Sequence, residues 1–347
     1  MTSPPWIIMP VLAGPEVTVA ALADCLTQTV PARILVVNQG VDDGFRHQLE
    51  QYAEEYEDRL LVWSHVPPLP SLSATWNRAL DAAWEAGAEM ALVVNNDVRL
   101  RRDTIERLQT VLQQEAALFV SAVGVDEQSW GSPLESADLR SRGGPDFSCF
   151  LIARYCHERF RFDEGFIPAF CEDLDYHRRL MLAGEGGRIF SVNVPYLHLA
   201  SHTLKTLAPG EAQRIRAEIE TISRGYYREK WGGSVNEETF LLPFGAPSGW
   251  TRTDGSATTP YLQAHPEEAT IRPDRQQFLG GQGNYRPLKG LHGIPDDGLG
   301  LTSGPDDGYR GIGRRIAAET EASIEELLNG ETSGGTDGAS HSRQVEG

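Results

Sequence analysis

Cysteine is scarce in this chain, and its placement excludes several chemistries. Cys25, Cys149, Cys156 and Cys171 form no CxxC pair, so neither a zinc site nor a disulfide scaffold is indicated. Reduced thiols, as in a cytoplasm, are the expectation. Long apolar runs are absent too: nothing approaches the roughly 20 residues of a membrane span. Met1 to Trp6 lacks the basic region of a signal peptide. There is no Walker A lysine loop and no G-x-G-x-x-G after the first apolar run, which counts against ATPases and dehydrogenases. No G-x-S-x-G elbow is present. Positive charge is in short supply, with 31 Lys and Arg against 49 Asp and Glu, for a net charge of −18. Such a surface repels phosphate backbones, which argues against nucleic acid as a bulk partner.

What is present is an alternation of strands and helices. Trp6 to Leu12, Arg33 to Val37, Leu60 to Trp63 and Met90 to Val94 are continuous apolar runs, the pattern of parallel strands covered on both faces. Between them lie helical stretches: Glu16 to Thr29, Phe45 to Tyr56, and one that Ser71 or Ser73 caps and that ends near Gly87. Asp103 and Glu106 stand at capping-box spacing ahead of a helix to Gln114. This order predicts an α/β fold with a doubly wound, mostly parallel sheet flanked by helices. In such sheets ligands bind outside the carboxyl ends of strands, where Asn38 and Asp97 fall.

Gly124 to Pro145 is irregular and long enough to be a functional loop. Phe147 to Ala153 and Arg188 to Val194 return to strand, and Pro209 to Trp231 reads as one long helix closed by Gly232-Gly233. From about residue 244 glycine, proline, Asp and Ser dominate. The expectation is a folded domain over 1–243 and a largely disordered tail over 244–347, with a short amphipathic helix at 314–328.

Two acidic stretches carry the candidate chemistry. Asn95-Asn96-Asp97 ends an apolar run, and oxygen ligands of this kind suit Mg2+ or Mn2+. A strand-end turn is the plain alternative. His198 or His202 could add an imidazole. Glu172-Asp173-Leu174-Asp175 opens a helix; at helical spacing Glu172 and Asp175 share a face and Asp173 points about 100° away. Acids complementing the helix dipole are the plain alternative there. Phe147, Phe162, Phe166 and Phe170 are candidate ligand contacts, with core packing as the competing use of such rings.

The order of these segments resembles glycosyltransferase family 2, inverting enzymes of the GT-A fold. Val36 to Gly44 looks like the family's V-D-N-x-S-x-D-G turn. Asn77, in Trp76-Asn77-Arg78-Ala79-Leu80, matches the asparagine of the helix before the metal strand. Asn95-Asn96-Asp97-Val98 looks like the N-N-D-V form of the DXD motif. Phe147 to Ile152, Phe162-Asp163-Glu164-Gly165-Phe166 and Glu172 to Asp175 resemble the strand, F-D-E-x-F and E-D-x-D sequence. Tyr227 to Gly232 looks like the closing segment of some members, phage-type ones included. The resemblance covers about residues 6 to 243. It departs from the family at Asn38, where Asp is usual, and at Asn95, which leaves Asp97 as the only carboxylate of its motif.

The resemblance implies a nucleotide-diphosphate sugar donor, a hydroxyl acceptor, a divalent metal (Mn2+ or Mg2+) and one-step inversion. It places Asp97 and His198 at the metal. Pro10, Val11, Leu12, Asn38, Asn77, Asn95 and Asn96 fall around the donor. Asp173 is implied as general base, with Glu172 the runner-up. A non-catalytic sugar-nucleotide or glycan binder on the same scaffold is the alternative. A nucleotidyltransferase fits less well, because Ala13-Gly14-Pro15-Glu16 is neither basic nor Gly-rich.

Overall fold

The structure is a computed structural model that describes residues 4–40, 42–64, 68–130, 145–199, 205–240 and 243. The tail, the helix expected at 314–328, His202 and most of the irregular stretch after Gly124 lie outside the described residues. The chain runs β1 (Trp6–Val11), α1 (Pro15–Leu26), β2 (Arg33–Asn38), α2 (Asp43–Glu55), β3 (Leu60–Ser64), α3 (Leu72–Glu85), β4 (Met90–Val94), β5 (Val98–Arg99) and α4 (Thr104–Gln114). It continues through β6 (Phe119–Val125), α5 (Glu127–Trp130), β7 (Cys149–Ala153), α6 (Arg154–Arg159), α7 (Glu172–Leu182) and β8 (Ile189–His198). Last come α8 (Pro209–Glu218), a π turn (Ile219–Ser223) and α9 (Arg224–Trp231). The long helix expected over Pro209 to Trp231 is thus interrupted by a wider turn.

The described strands form one sheet in the order β3-β2-β1-β4-β7-β6-β8-β5. β1 pairs parallel with β2 and β4, β2 with β3, and β6 with β8, while β7 runs antiparallel to β4 and β6. The apolar runs alternate between two cores, as the two-residue period of a strand requires. Ile7, Met9, Ile34, Val36, Leu92 and Val94 pack on one face with Leu22, Leu49 and Ile105. Ile8, Leu35, Val37 and Val93 pack on the other with Trp76, Leu80, Phe150, Phe162 and Tyr176. Burial of both faces is why the runs are apolar throughout.

Ser71, of the two candidates, caps α3: its Oγ accepts from the Ala74 N–H at 3.1 Å. The capping box at Asp103 does not form. Its carboxylate instead accepts from Arg107 Nε at 2.5 Å, and Glu106 Oε2 accepts from Thr29 Oγ1 at 2.9 Å. An ion pair and a hydroxyl from the α1–β2 connection outcompete the backbone amides there.

The topology itself makes a crevice. From β1 the chain steps outward to β2 and β3, then returns to lay β4 on the other side of β1. The connections beyond β1 and β4 therefore diverge, and a cleft opens at their carboxyl ends.

Candidate active site

A cavity of about 810 Å³ occupies that cleft, within the roughly 300–1,000 Å³ usual for small-molecule sites. Pro10, Val11 and Leu12 line it from the end of β1, Gln39 from the end of β2, and Asn95, Asn96 and Asp97 from the end of β4. Thr75 and Trp76 reach it from α3, Asp146 and Ser148 from the approach to β7, His198 from the end of β8, and Glu172 and Asp173 from the start of α7.

Strand register brings Asp97 and His198 together. Val98 of β5 pairs with His198 of β8, and the Leu199 N–H donates to the Asp97 carbonyl at 3.0 Å. His198 Nε2 then lies 3.5 Å from Asp97 Oδ1. The hydrogen bond to Asp97 raises the imidazole pKa above its usual value, and the Asp97 and Asp146 charges add to that. Asn96 holds the β4 turn onto its neighbours, donating to the Ala13 carbonyl at 2.7 Å and to Thr18 Oγ1 at 2.8 Å. The Asn95 N–H donates to the Ser148 carbonyl at 2.9 Å.

Asn38 and Asn77 lie outside this lining. Asn38 is buried, and its Oδ1 accepts from the Gly40 N–H at 3.1 Å. Its neighbour Gln39 faces the cavity instead. The Gln39 amide donates to Thr75 Oγ1 and accepts from the Leu69 N–H at 2.6 Å, tying β2 to α3 and to the segment before it. A Cβ at Gly40 would come within 2.6 Å of the Leu12 carbonyl oxygen, so the close approach of these two strand ends requires glycine. Asn77 turns away from the cavity and is fully satisfied. Its Nδ2 donates to the Phe162 carbonyl at 2.8 Å and to Glu164 at 3.0 Å. Its Oδ1 accepts from the Phe162 N–H at 3.0 Å and from His157 Nε2 at 3.1 Å. The His157 tautomer follows, because its Nδ1 accepts from Trp84 Nε1 at 2.8 Å. Burial holds that imidazole neutral.

The E-D-x-D stretch splits by depth. Asp175 is fully buried and points away from the cavity. Arg179 Nε donates to its Oδ2 at 2.7 Å, while Lys230 Nζ at 2.8 Å and Trp231 Nε1 at 3.0 Å reach its Oδ1. These partners hold it ionised, below the usual carboxylate range. Glu172 and Asp173 line the cavity, so the face shared by Glu172 and Asp175 is not one site. Burial raises the pKa of both lining carboxyls. Glu172 rises to about 8, with the Asp173 charge contributing. Glu172 is 5 % exposed, and its Oε2 has no hydrogen-bond partner among the described residues. Asp173 Oδ1 accepts from the Leu174 N–H at 2.8 Å, which supports its charge.

The backbone before α7 is strained. Phe170 and Cys171 have φ of 76° and 71°, a region that costs a non-glycine residue about 1 kcal/mol or more. Of the four candidate phenylalanines, Phe162 and Phe166 are core, packed on Trp76 and Tyr176 and on Tyr226 respectively. Phe147 lies at the boundary, tilted against Phe119 and lining the cavity. Phe170 alone of the four is exposed, at 49 %.

Sequence reading missed Asp146. Its Oδ1 accepts from the Ser148 N–H at 2.9 Å and its Oδ2 from the Tyr196 hydroxyl at 2.6 Å. Its charge reaches both Asp173 and His198, so it lies between the two halves of the site. It belongs to no motif; the one available signal was an acid just ahead of a strand. Gln39 and Trp76 were also missed, each one residue from the asparagine that the motif singled out.

The donor set for a divalent ion is one carboxylate and one imidazole, Asp97 and His198. Among the described residues no group of three or more His, Cys, Asp or Glu side chains converges as a metal cage. The pair fits an ion of the Mn2+ or Mg2+ kind that completes its shell with substrate oxygens and water.

No family model matches the chain, and no curated protein does. Among solved structures, the mannosyltransferase PcManGT from Pyrobaculum calidifontis, in complex with GDP-Man and Mn2+, is similar over 94% of this chain and 90% of that one, at 14% identity and a TM-score of 0.50. S. aureus TarS 1-349 is 15% identical over 65% of this chain and 73% of its own, with a TM-score of 0.45. GalNAc-T7 with UDP, GalNAc and Mn2+ is 10% identical over 67% and 53%, with a TM-score of 0.46. At such identities the likeness is one of fold, and PcManGT carries it: this chain has a GT-A-type architecture.

Proposed function

We propose that this protein is a metal-dependent inverting glycosyltransferase that moves a sugar from a nucleotide-diphosphate donor to an acceptor hydroxyl. One observation carries the reading: a single cavity at the topological switch joins the Asp97–His198 pair to the Glu172–Asp173 pair. The ends of β1 and β4, with Gln39, form the donor wall. Asp97 and His198 would hold a divalent ion, which would supply positive charge against the leaving diphosphate. PcManGT, solved with GDP-Man and Mn2+, supports a donor and a metal of this kind by fold.

Asp173 is the general base. Two adjacent carboxylates repel, so the more buried of them ionises with difficulty. Glu172, more buried and with an oxygen left without a partner, takes the proton. Asp173, steadied by the Leu174 N–H, keeps the charge. Its raised pKa brings it closer to the range in which a base accepts a proton from a hydroxyl. Because the donor carries its own leaving group, one base suffices.

The test is thermal unfolding with UDP, GDP, dTDP and CDP, each with and without Mn2+, on the wild type and on Asp97→Ala. A ligand that binds only the folded state raises the midpoint. A metal-dependent rise with one nucleotide, lost in D97A, is expected. No rise with any pair in folded protein refutes the transferase reading.

A further inference from the structure

The acceptor half of the cavity has its own chemistry, which rests on the transferase reading for its name but not for its shape. Two buried polar groups line the cavity without a hydrogen-bond partner among the described residues: Trp76 Nε1 and Glu172 Oε2. Trp76 is 1 % exposed. An unpaired buried N–H is costly, and the Trp76 side chain forms part of the cavity wall with this N–H closed to solvent. The two groups come from elements that touch, since the Leu72 N–H at the start of α3 donates to the Pro168 carbonyl at 2.9 Å just before α7.

Beside Glu172 the wall is apolar. Pro168 and Phe170 supply it from the strained segment, and Ile215 and Ile219 add one face of the last helical unit. The π turn fixes that unit in place: the Ser223 hydroxyl hydrogen is shared between the carbonyls of Ile167 at 2.9 Å and Ala169 at 2.6 Å. Phe170 is thus held half-exposed at the cavity wall at the expense of backbone strain. The charge is one-sided as well. Asp97, Asp146, Glu172 and Asp173 line the cavity, and no Lys or Arg is among its described lining residues. Away from the Asp97–His198 pair, a phosphorylated or carboxylated acceptor would meet carboxylates and no Lys or Arg among the described lining residues.

We infer that the acceptor is an uncharged glycoside with an apolar aglycone. Its sugar hydroxyls engage Glu172, and its aglycone rests on Phe170, Ile215 and Ile219.

The test is equilibrium binding, by titration calorimetry, of paired nitrophenyl and methyl hexosides, with a sugar phosphate as a third arm. Each is titrated into wild-type protein and into Phe170→Gly. Glycine suits the φ of 76° at this position, so the variant's thermal midpoint is expected not to fall. Burying a ring on that wall should favour the nitrophenyl member of at least one pair by about tenfold or more, and F170G should shrink the preference to about threefold or less. Equal binding within every pair, a preference untouched by F170G, tighter binding of the sugar phosphate, or no binding of any glycoside each overturns the inference. The nucleotide titration of the wild type is read alongside. An aryl preference without nucleotide binding keeps the glycoside site and refutes the transferase. Nucleotide binding without the preference does the reverse.

Discussion

Lys230, near the end of the last helix, places its ammonium 2.8 Å from Asp175 Oδ1, and both side chains are fully buried. The same ammonium contacts Asp163 Oδ2 at 2.5 Å, and Asp163 also accepts from the Tyr226 hydroxyl at 2.9 Å. One cation thus joins the F-D-E turn, the helix that presents Glu172 and Asp173, and the C-terminal unit. Lysine is rare here, at positions 205, 230 and 289 only. A buried carboxylate that loses its counter-ion costs about 3–5 kcal/mol. Lys230→Met should lower the unfolding free energy by that order in chemical denaturation. A loss within error of zero would show that Arg179, Tyr226 and Trp231 hold the two carboxylates unaided.

Asn77 is a motif residue that the structure gives a structural task. Asn77→Ala strips partners from the Phe162 backbone and from His157. We expect a stability loss of about 2 kcal/mol or more, with little change in nucleotide affinity measured at a temperature where the variant is folded. Loss of nucleotide binding without loss of stability would return Asn77 to the donor pocket.

Glu172 predicts a pH dependence. Its folded pKa is about 8, raised from 4.5. Between those values the folded protein holds a proton that the unfolded chain releases, so stability falls as pH rises through the window. Glu172→Gln removes this dependence. Near pH 5 the two proteins should unfold alike; near pH 8.5 the variant should be more stable by about 4 kcal/mol. Parallel stability–pH curves would show that Glu172 ionises normally.

Asp173→Asn separates catalysis from binding. Turnover should fall by about 10²–10⁴-fold, while the metal-dependent nucleotide shift persists. An equally active variant would leave Glu172, or neither carboxyl, as the base.

Much of the fold was legible because burial on both faces leaves a mark in one dimension. The runs at Trp6, Arg33, Leu60 and Met90 are apolar throughout, and each became a parallel strand. The antiparallel half was less visible. β5 is two residues long, and β6 continues into polar sequence, so neither carries a clear period. The broken last helix left no mark, because a π turn uses ordinary helical residues.

Strand burial and helix starts are local properties, so residue order alone marked the parallel half of the sheet and set Asp97, Glu172 and Asp173 at element ends. Which polar residues line the cavity depends on how the elements pack. Asn38 and Asn77 turned inward while Gln39 and Trp76 faced it, a difference of one residue that reverses a side chain's direction on a strand and swings it about 100° on a helix. The fold also separated Asp175 from Glu172, by supplying Lys230 and Trp231 from the far end of the chain. It seated His198 against Asp97 through the pairing of β5 with β8. Motif spacing records order along the chain; a buried carboxylate's role depends on which charges the fold brings to it.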